Sequence, residues 1–224
     1  MTDEHPVYRI RDILERLLPG KLASRILFDA LGRVETVPRG DDEVTRFVEG
    51  PLAAVLAERR LDADADEIVK QVLRLGRDAA KPANLREASD QSTRAVTTVA
   101  HPVVVAVVCC GSSFIDRLGA SLGPSRVAPR RLGSLTDLSD FRRNSEGALL
   151  VVDATDFPAV DPDELAASVG DFPASVPILI WAADLPYGRS LLRSLGKAKI
   201  TGLPLPSTEG IDPLLDLIRS RRRR

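Results

Sequence analysis

Six consecutive residues, Val103-Val104-Val105-Ala106-Val107-Val108, constrain this chain more than any other feature. A side chain branched at Cβ is stiff in a helix and fits a pleated strand. No polar residue alternates through the run, so it reads as a strand buried on both faces, as in a parallel sheet covered by helices. Ala148 to Val152 and Pro177 to Trp181 are two further runs of the same kind. Helical spacing fills the intervals: Ser113 to Leu122, Leu135 to Arg143 with Ser134 as a cap, Pro162 to Val169, Gly188 to Leu195, and Ile211 to Arg219. Two weaker strands, Arg126 to Leu132 with its Pro129 and Lys199 to Leu203, complete the alternation. Residues 101–224 therefore read as (βα)5, an open parallel sheet with helices on both faces.

Residues 1–78 carry a helical period instead. Ile10, Ile13, Leu14, Leu17 and Leu18 share one face of a helix that Pro19-Gly20 stops. Leu22, Ile26, Leu27, Ala30 and Leu31 mark a second helix, ending near Gly32. After the loop Val37-Pro38-Arg39-Gly40, Asp41 or Asp42 suits an N-cap, and Val44, Phe47, Val48, Leu52, Val55 and Leu56 hold one phase. Pro51 interrupts that phase and predicts a kink or two abutting helices. Asp62 or Asp64 caps a last helix carrying Ile68, Val72 and Leu75. The short loops make neighbours antiparallel, giving an all-helical bundle with Ile13, Leu17, Leu27, Phe47, Leu56 and Val72 buried together. So small a bundle has a modest core and gains from a second copy, which makes a homodimer one expected assembly. Residues 79–100 lose the period and read as a linker, with a helical piece around Leu85 to Ala88.

Composition excludes several classes. With 44% hydrophobic and 28% charged residues, wholesale disorder is excluded. The net charge is -1, and residues 1–80 alone sum to -3, so a nucleic-acid partner is not expected of either part. Pro102 to Cys110 is too short to span a bilayer, which takes about 20 residues. The acidic start Met1-Thr2-Asp3-Glu4-His5 holds no apolar signal core. A cytoplasmic protein of bacterial type, without a membrane span, is expected.

The βα units resemble the receiver domain of two-component response regulators over residues 103–219. Leu149-Leu150-Val151-Val152-Asp153 ends as a receiver's third strand ends, on its phospho-accepting Asp, with Pro158 nearby. Pro177-Ile178-Leu179-Ile180-Trp181-Ala182-Ala183 is similar to the fourth strand and its switch Ser/Thr position. Gly196-Lys197-Ala198-Lys199-Ile200-Thr201-Gly202-Leu203-Pro204 is similar to the last helix end, the fifth strand and its Lys-Pro dipeptide. The resemblance implies a flavodoxin-like domain at 101–224 with a pocket at the strand ends. It also shows which chemistry has gone. Cys109 and Cys110 stand at the acidic pair that would hold Mg²⁺, and thiols are poor ligands for it. Ala182 stands at the hydroxyl and Leu203 at the ammonium, leaving Asp153 alone. Nothing then stabilises a transferring phosphoryl group. The expectation is a degenerate pseudo-receiver, not an enzyme, with no cofactor or metal. Asp153 becomes a loop-capping carboxylate, and Asp156 is the neighbour that would have to replace a lost one.

Other signals are weaker. Cys109-Cys110 as a redox pair or soft-metal site lacks partners, since His5 and His101 are the only histidines; small buried hydrophobes are the plainer reading. Asp62-Ala63-Asp64-Ala65-Asp66 begins like a calcium loop but has Glu67 where Gly is needed and Leu73 where Glu is needed. Arg221 to Arg224 read as a solvated helix end. No Gly-x-Gly-x-x-Gly, Gly-Lys-Ser/Thr or Gly-x-Ser-x-Gly occurs. The sequence thus points to a signalling or scaffold protein that binds a protein partner without phosphorylation. By family resemblance the partner face is Gly188 to Arg219, with Arg189, Arg193, Lys197, Lys199 and Arg219 exposed on it. A regulator whose N-terminal helices bind DNA is the alternative, and a flavodoxin-like enzyme is a third reading.

Overall fold

The computed structural model describes residues 5–59, 62–79, 101–155, 160–207 and 210–222. The chain divides into two compact units, Met1–His101 and Pro102–Arg224.

The described part of the first unit is helical: α1 (Pro6–Leu17), α2 (Gly20–Leu31), α3 (Asp41–Phe47), α4 (Ala53–Glu58) and α5 (Asp62–Ala79). Helix α1 starts on Pro6, and the His5 imidazole accepts the Val7 N–H at 3.4 Å. Ile13, Leu27, Phe47, Leu56 and Val72 are buried as their spacing predicts, but Leu17 is 37% exposed. It is the last residue of α1, where the chain turns through Leu18 and Pro19 into α2. Helix angle alone does not bury a side chain at a helix end. Val7, at the other end of the same stripe, is buried instead. Helix α2 buries more than one stripe, including Ser24, whose hydroxyl donates to the Gly20 carbonyl at 2.9 Å, and Phe28. At Pro51 the pattern divides into two abutting helices, α3 and α4, as the interrupted phase predicts. A π-helical turn, Val48–Leu52, carries the chain from α3 to α4 and takes up the missing N–H. The cap of α3 is Gly40, not an aspartate. The Glu43 carboxylate reaches back to the Arg39 and Gly40 N–H groups at 2.8 and 3.4 Å. Helix α5 runs through Ala79, one residue past the expected boundary; the linker at 80–100 and the side chains of Asp62, Asp64 and Leu75 lie outside the described residues.

The second unit is a mixed α/β structure. In chain order it contains β1 (Val103–Val108), α6 (Ser113–Leu122), β2 (Val127–Leu132), α7 (Leu135–Arg142), β3 (Leu149–Asp153) and α8 (Pro162–Gly170). It continues with β4 (Ile178–Trp181), α9 (Pro186–Lys197), β5 (Gly202–Leu205) and α10 (Asp212–Arg222). All five strands are parallel, in the order β2-β1-β3-β4-β5. That order is one of the two common doubly wound arrangements, the flavodoxin-like one. Pro129 is tolerated because β2 is an edge strand. The Ser134 hydroxyl caps α7 by accepting the Asp137 N–H at 3.1 Å, and Asp161 caps α8.

Strand alternation divides the apolar residues between two faces. Ala106, Val108, Leu150, Val152, Ile178 and Ile180 form one cluster with Leu138, Leu165, Leu191 and Leu195 of α7, α8 and α9. Val105, Val107, Val151 and Leu179 point the other way and are fully buried. On that face the Phe114 ring of α6 lies 5.5 Å from the ring of Trp181. Not all of β1 is buried: Val104 is 37% exposed. Pairing with β3 begins only at Val105, so Val104 stands beyond the end of its neighbour. Among the described residues, no helix is long and apolar enough to cross a membrane.

Candidate functional site

A doubly wound sheet places its loops over the carboxyl ends of the strands, and ligands bind there where the chain order reverses, here between β1 and β3. Val108 pairs with Val152, so Cys109 and Asp153 leave adjacent strands at the same level. Asp153 in turn pairs with Trp181, and Trp181 with Leu205. The strand ends therefore gather Cys109, Asp153, Trp181 and Leu205.

Asp153 is 1% exposed. Its Oδ1 accepts the Thr155 N–H at 2.9 Å and the Thr155 hydroxyl at 2.5 Å. This is an Asx-type turn, in which a carboxylate holds the backbone two residues on. Ala154 N–H donates to the Trp181 carbonyl at 3.0 Å, carrying the ladder past the strand.

The two cysteines part company. Cys109 is buried, and its thiol donates to the Gly111 carbonyl at 3.0 Å. Cys110 is exposed, against the expectation of two buried hydrophobes, because successive side chains of an extended chain point opposite ways. Its carbonyl accepts from the Arg131 guanidinium. Neither thiol is in a disulfide.

Ala182 is buried and has φ 55°, in the left-handed region that disfavours a residue with a Cβ. The turn it makes brings the start of α9 back against the chain. A Cβ on Gly188 would lie 2.7 Å from the Ala183 Cα and 2.8 Å from the Ala182 carbonyl oxygen. Only glycine permits that approach. Ala183 N–H donates to the Leu205 carbonyl at 3.2 Å. The Asp184 carboxylate accepts the Ser207 N–H at 2.7 Å and its hydroxyl at 2.9 Å, tying the loop after β4 to the loop after β5. Those bonds, the backbone one foremost, hold the Asp184 carboxyl below the usual range. Nearby, the Tyr187 hydroxyl donates to the Val160 carbonyl at 3.0 Å. Burial, with the charges of Asp161 and Cys110 adding to it, pushes that phenol up to about 12.

Leu203 does not belong to this group. It is 42% exposed and sits inside β5, whereas the strand ends on Leu205, which is buried. The chain contains two Leu-Pro dipeptides, Leu203-Pro204 and Leu205-Pro206. Sequence spacing selects the first, and strand pairing selects the second. The expected strand Lys199 to Leu203 is shifted accordingly. Lys199 and Ile200 instead close α9: their N–H groups donate to the Gly196 and Leu195 carbonyls at 3.1 and 2.9 Å, with Lys199 at φ 57°. This is a helix-ending motif usually built on glycine.

Arg189, Arg193, Lys197, Lys199 and Arg219 are all exposed. The first three are spaced four apart along α9, on its outward side, and Lys197 lies 3.9 Å from the Asp163 carboxylate of α8. Asp156 and Pro158 lie outside the described residues. Thr155, Asp184, Tyr187, Leu205 and Ser207 were missed in the sequence. Asp153-x-Thr155 is a legible turn signal, but Asp184 and Ser207 are joined only by the fold. No family model matches the chain, and no curated protein matches it.

Proposed function

We propose that this chain is a non-catalytic signalling or scaffold protein whose second unit is a degenerate receiver-like (βα)5 module that binds a protein partner without phosphorylation. The helical first unit supplies a further interaction or self-association surface. One observation carries the reading: Asp153 is 1% exposed and its Oδ1 is committed to Thr155, with Cys109 and Ala182 just past the ends of the two flanking strands. A phosphoryl acceptor must present its carboxylate to an incoming donor, with charge stabilisation on either side. Here Cys109 and Ala182 follow the two adjacent strands, and Leu205 ends the strand beyond, where a receiver has carboxylates, a hydroxyl and an ammonium. The basic helix α9 and the neighbouring strand β5 favour docking over chemistry. Incubation of the full chain with acetyl phosphate and Mg²⁺, followed by intact-mass measurement, tests this. No phosphoryl adduct is expected, and an adduct mapped to Asp153 overturns the reading.

A further inference from the structure

We infer that prolines on the outer rows of both edge strands close the sheet to strand addition, so that a second copy of this chain does not extend it through β2 or β5. The inference rests on backbone geometry and not on the receiver-like reading.

A sheet leaves one row of backbone groups free along each edge strand, and such a row is a template for another strand. Among the described residues the edge strands are β2 and β5. The carbonyl and the nitrogen of a trans peptide point opposite ways, so a carbonyl turned into the ladder turns the next nitrogen outward. The Leu205 carbonyl accepts the Ala183 N–H at 3.2 Å, on the β4 side. The nitrogen of Pro206 therefore faces out. Backbone direction alternates along a strand, which puts the nitrogen of Pro204 on the same outer row. Leu203-Pro204-Leu205-Pro206 thus has the period of the strand itself. The leucines turn their N–H groups toward β4, and the prolines stand where outward donors would be. Strand β2 repeats the arrangement. The Arg126 and Leu132 carbonyls accept the Val103 and Cys109 N–H groups at 3.0 and 3.3 Å. In the unbroken register between them the Ala128 carbonyl faces β1, so the Pro129 nitrogen faces out. The Val127 N–H, on the same outer row, already donates to the Gly123 carbonyl at 3.2 Å.

No ladder bond is lost at these prolines, so their effect falls on an incoming strand. Such a strand would find no donor for its carbonyls at each proline and would meet the ring as well. The three inner strands, Val103–Val108, Leu149–Asp153 and Ile178–Trp181, contain no proline. Leu203, 42% exposed on β5, makes that edge the one another apolar strand would select. On β2 the exposed Arg130 and Arg131 add charge beside Pro129, a second guard of the same kind. A partner at either edge accordingly meets side chains, not a free ladder.

The test is sedimentation velocity on the full chain and on a variant combining Pro129→Val, Pro204→Val and Pro206→Val, with circular dichroism to confirm folding. The variant should self-associate about tenfold more tightly than the native chain, as one or two restored hydrogen bonds require. Hydrogen exchange of the N–H created at position 204 should slow in step with association. Pro186→Val, an exposed change at the first residue of α9, should sediment as the native chain does. A folded triple variant with unchanged sedimentation overturns the proposal. So does added association that leaves the N–H at position 204 exchanging as before. A labelled peptide carrying Val103 to Val108 between lysines tests the native chain directly, whether or not the variant folds. It should not bind, and binding that slows exchange of the outward Gly202 or Arg131 N–H overturns the proposal.

Discussion

Asp153 can be tested as a structural carboxylate by comparing Asp153→Asn with Asp153→Ala. One oxygen accepts two hydrogen bonds from Thr155 in a site that is 1% exposed. Asparagine keeps an acceptor oxygen there. It loses the charge-assisted part of both bonds, but it also relieves the cost of keeping a charge out of water. The net change should stay within about 1 kcal/mol. Alanine removes the acceptor altogether; the exposed Thr155 can turn to water, but the loss of two charge-assisted hydrogen bonds costs about 2–3 kcal/mol. The two variants should therefore differ by roughly 2 kcal/mol, or about 6–10 °C in melting temperature for a unit of this size. Trp181 is the only tryptophan in the chain and is paired with Asp153, so its fluorescence reports this unit alone. Equal melting of Asp153→Ala and Asp153→Asn would refute the structural role. A gain of well over 1 kcal/mol in Asp153→Asn would refute it from the other side, since a carboxylate whose removal stabilises is being kept for function.

Gly188→Ala gains about 1 kcal/mol of helix propensity but drives a methyl into backbone, so a net loss of about 1–3 kcal/mol is expected by chemical denaturation. Unchanged stability would mean that the turn at Ala182 is looser than its geometry. Tyr187, read by ultraviolet difference absorbance in a Tyr8→Phe background, should ionise at about 12. Its folded-state value lies above the ordinary 10, so its contribution to stability is complete below pH 10 and fades as pH rises through about 12. Ionisation at the ordinary value would place the ring in solvent. In the first unit, Phe47→Ala should cost about 3–5 kcal/mol, whereas Leu17→Ala should cost well under 1, because only Phe47 is buried. Equal costs in urea melts would mean that Leu17 is covered in solution, as by a second copy.

The valine run of β1 and the apolar runs of β3 and β4 determined a parallel sheet without help from the fold. A stretch of that length with no polar residue can be satisfied only by helices on both faces. Pro19-Gly20, Ser134 and Pro162 likewise wrote their helix boundaries in local chemistry, since each acts on backbone groups within a few residues. Asp153 was legible too, because a carboxylate closing an apolar strand stands out of its surroundings. Register was a different matter. Leu203-Pro204 and Leu205-Pro206 are the same dipeptide two residues apart, and only the pairing of Trp181 with Leu205 decides which one closes the strand ends. Moving along a strand by two keeps the face but changes the depth, so one leucine is buried and the other stands in solvent. Leu17 and Val104 escaped for a related reason: periodicity gives an angle around an element, whereas burial also depends on where the neighbouring element stops. The Asp184–Ser207 tie and the contact of Gly188 with Ala182 and Ala183 depend on loops that only the folded sheet brings together. Local sequence fixes what each backbone segment prefers. Which side chains meet at the ends of the strands is a property of register and relative length, and those are set by all the segments at once.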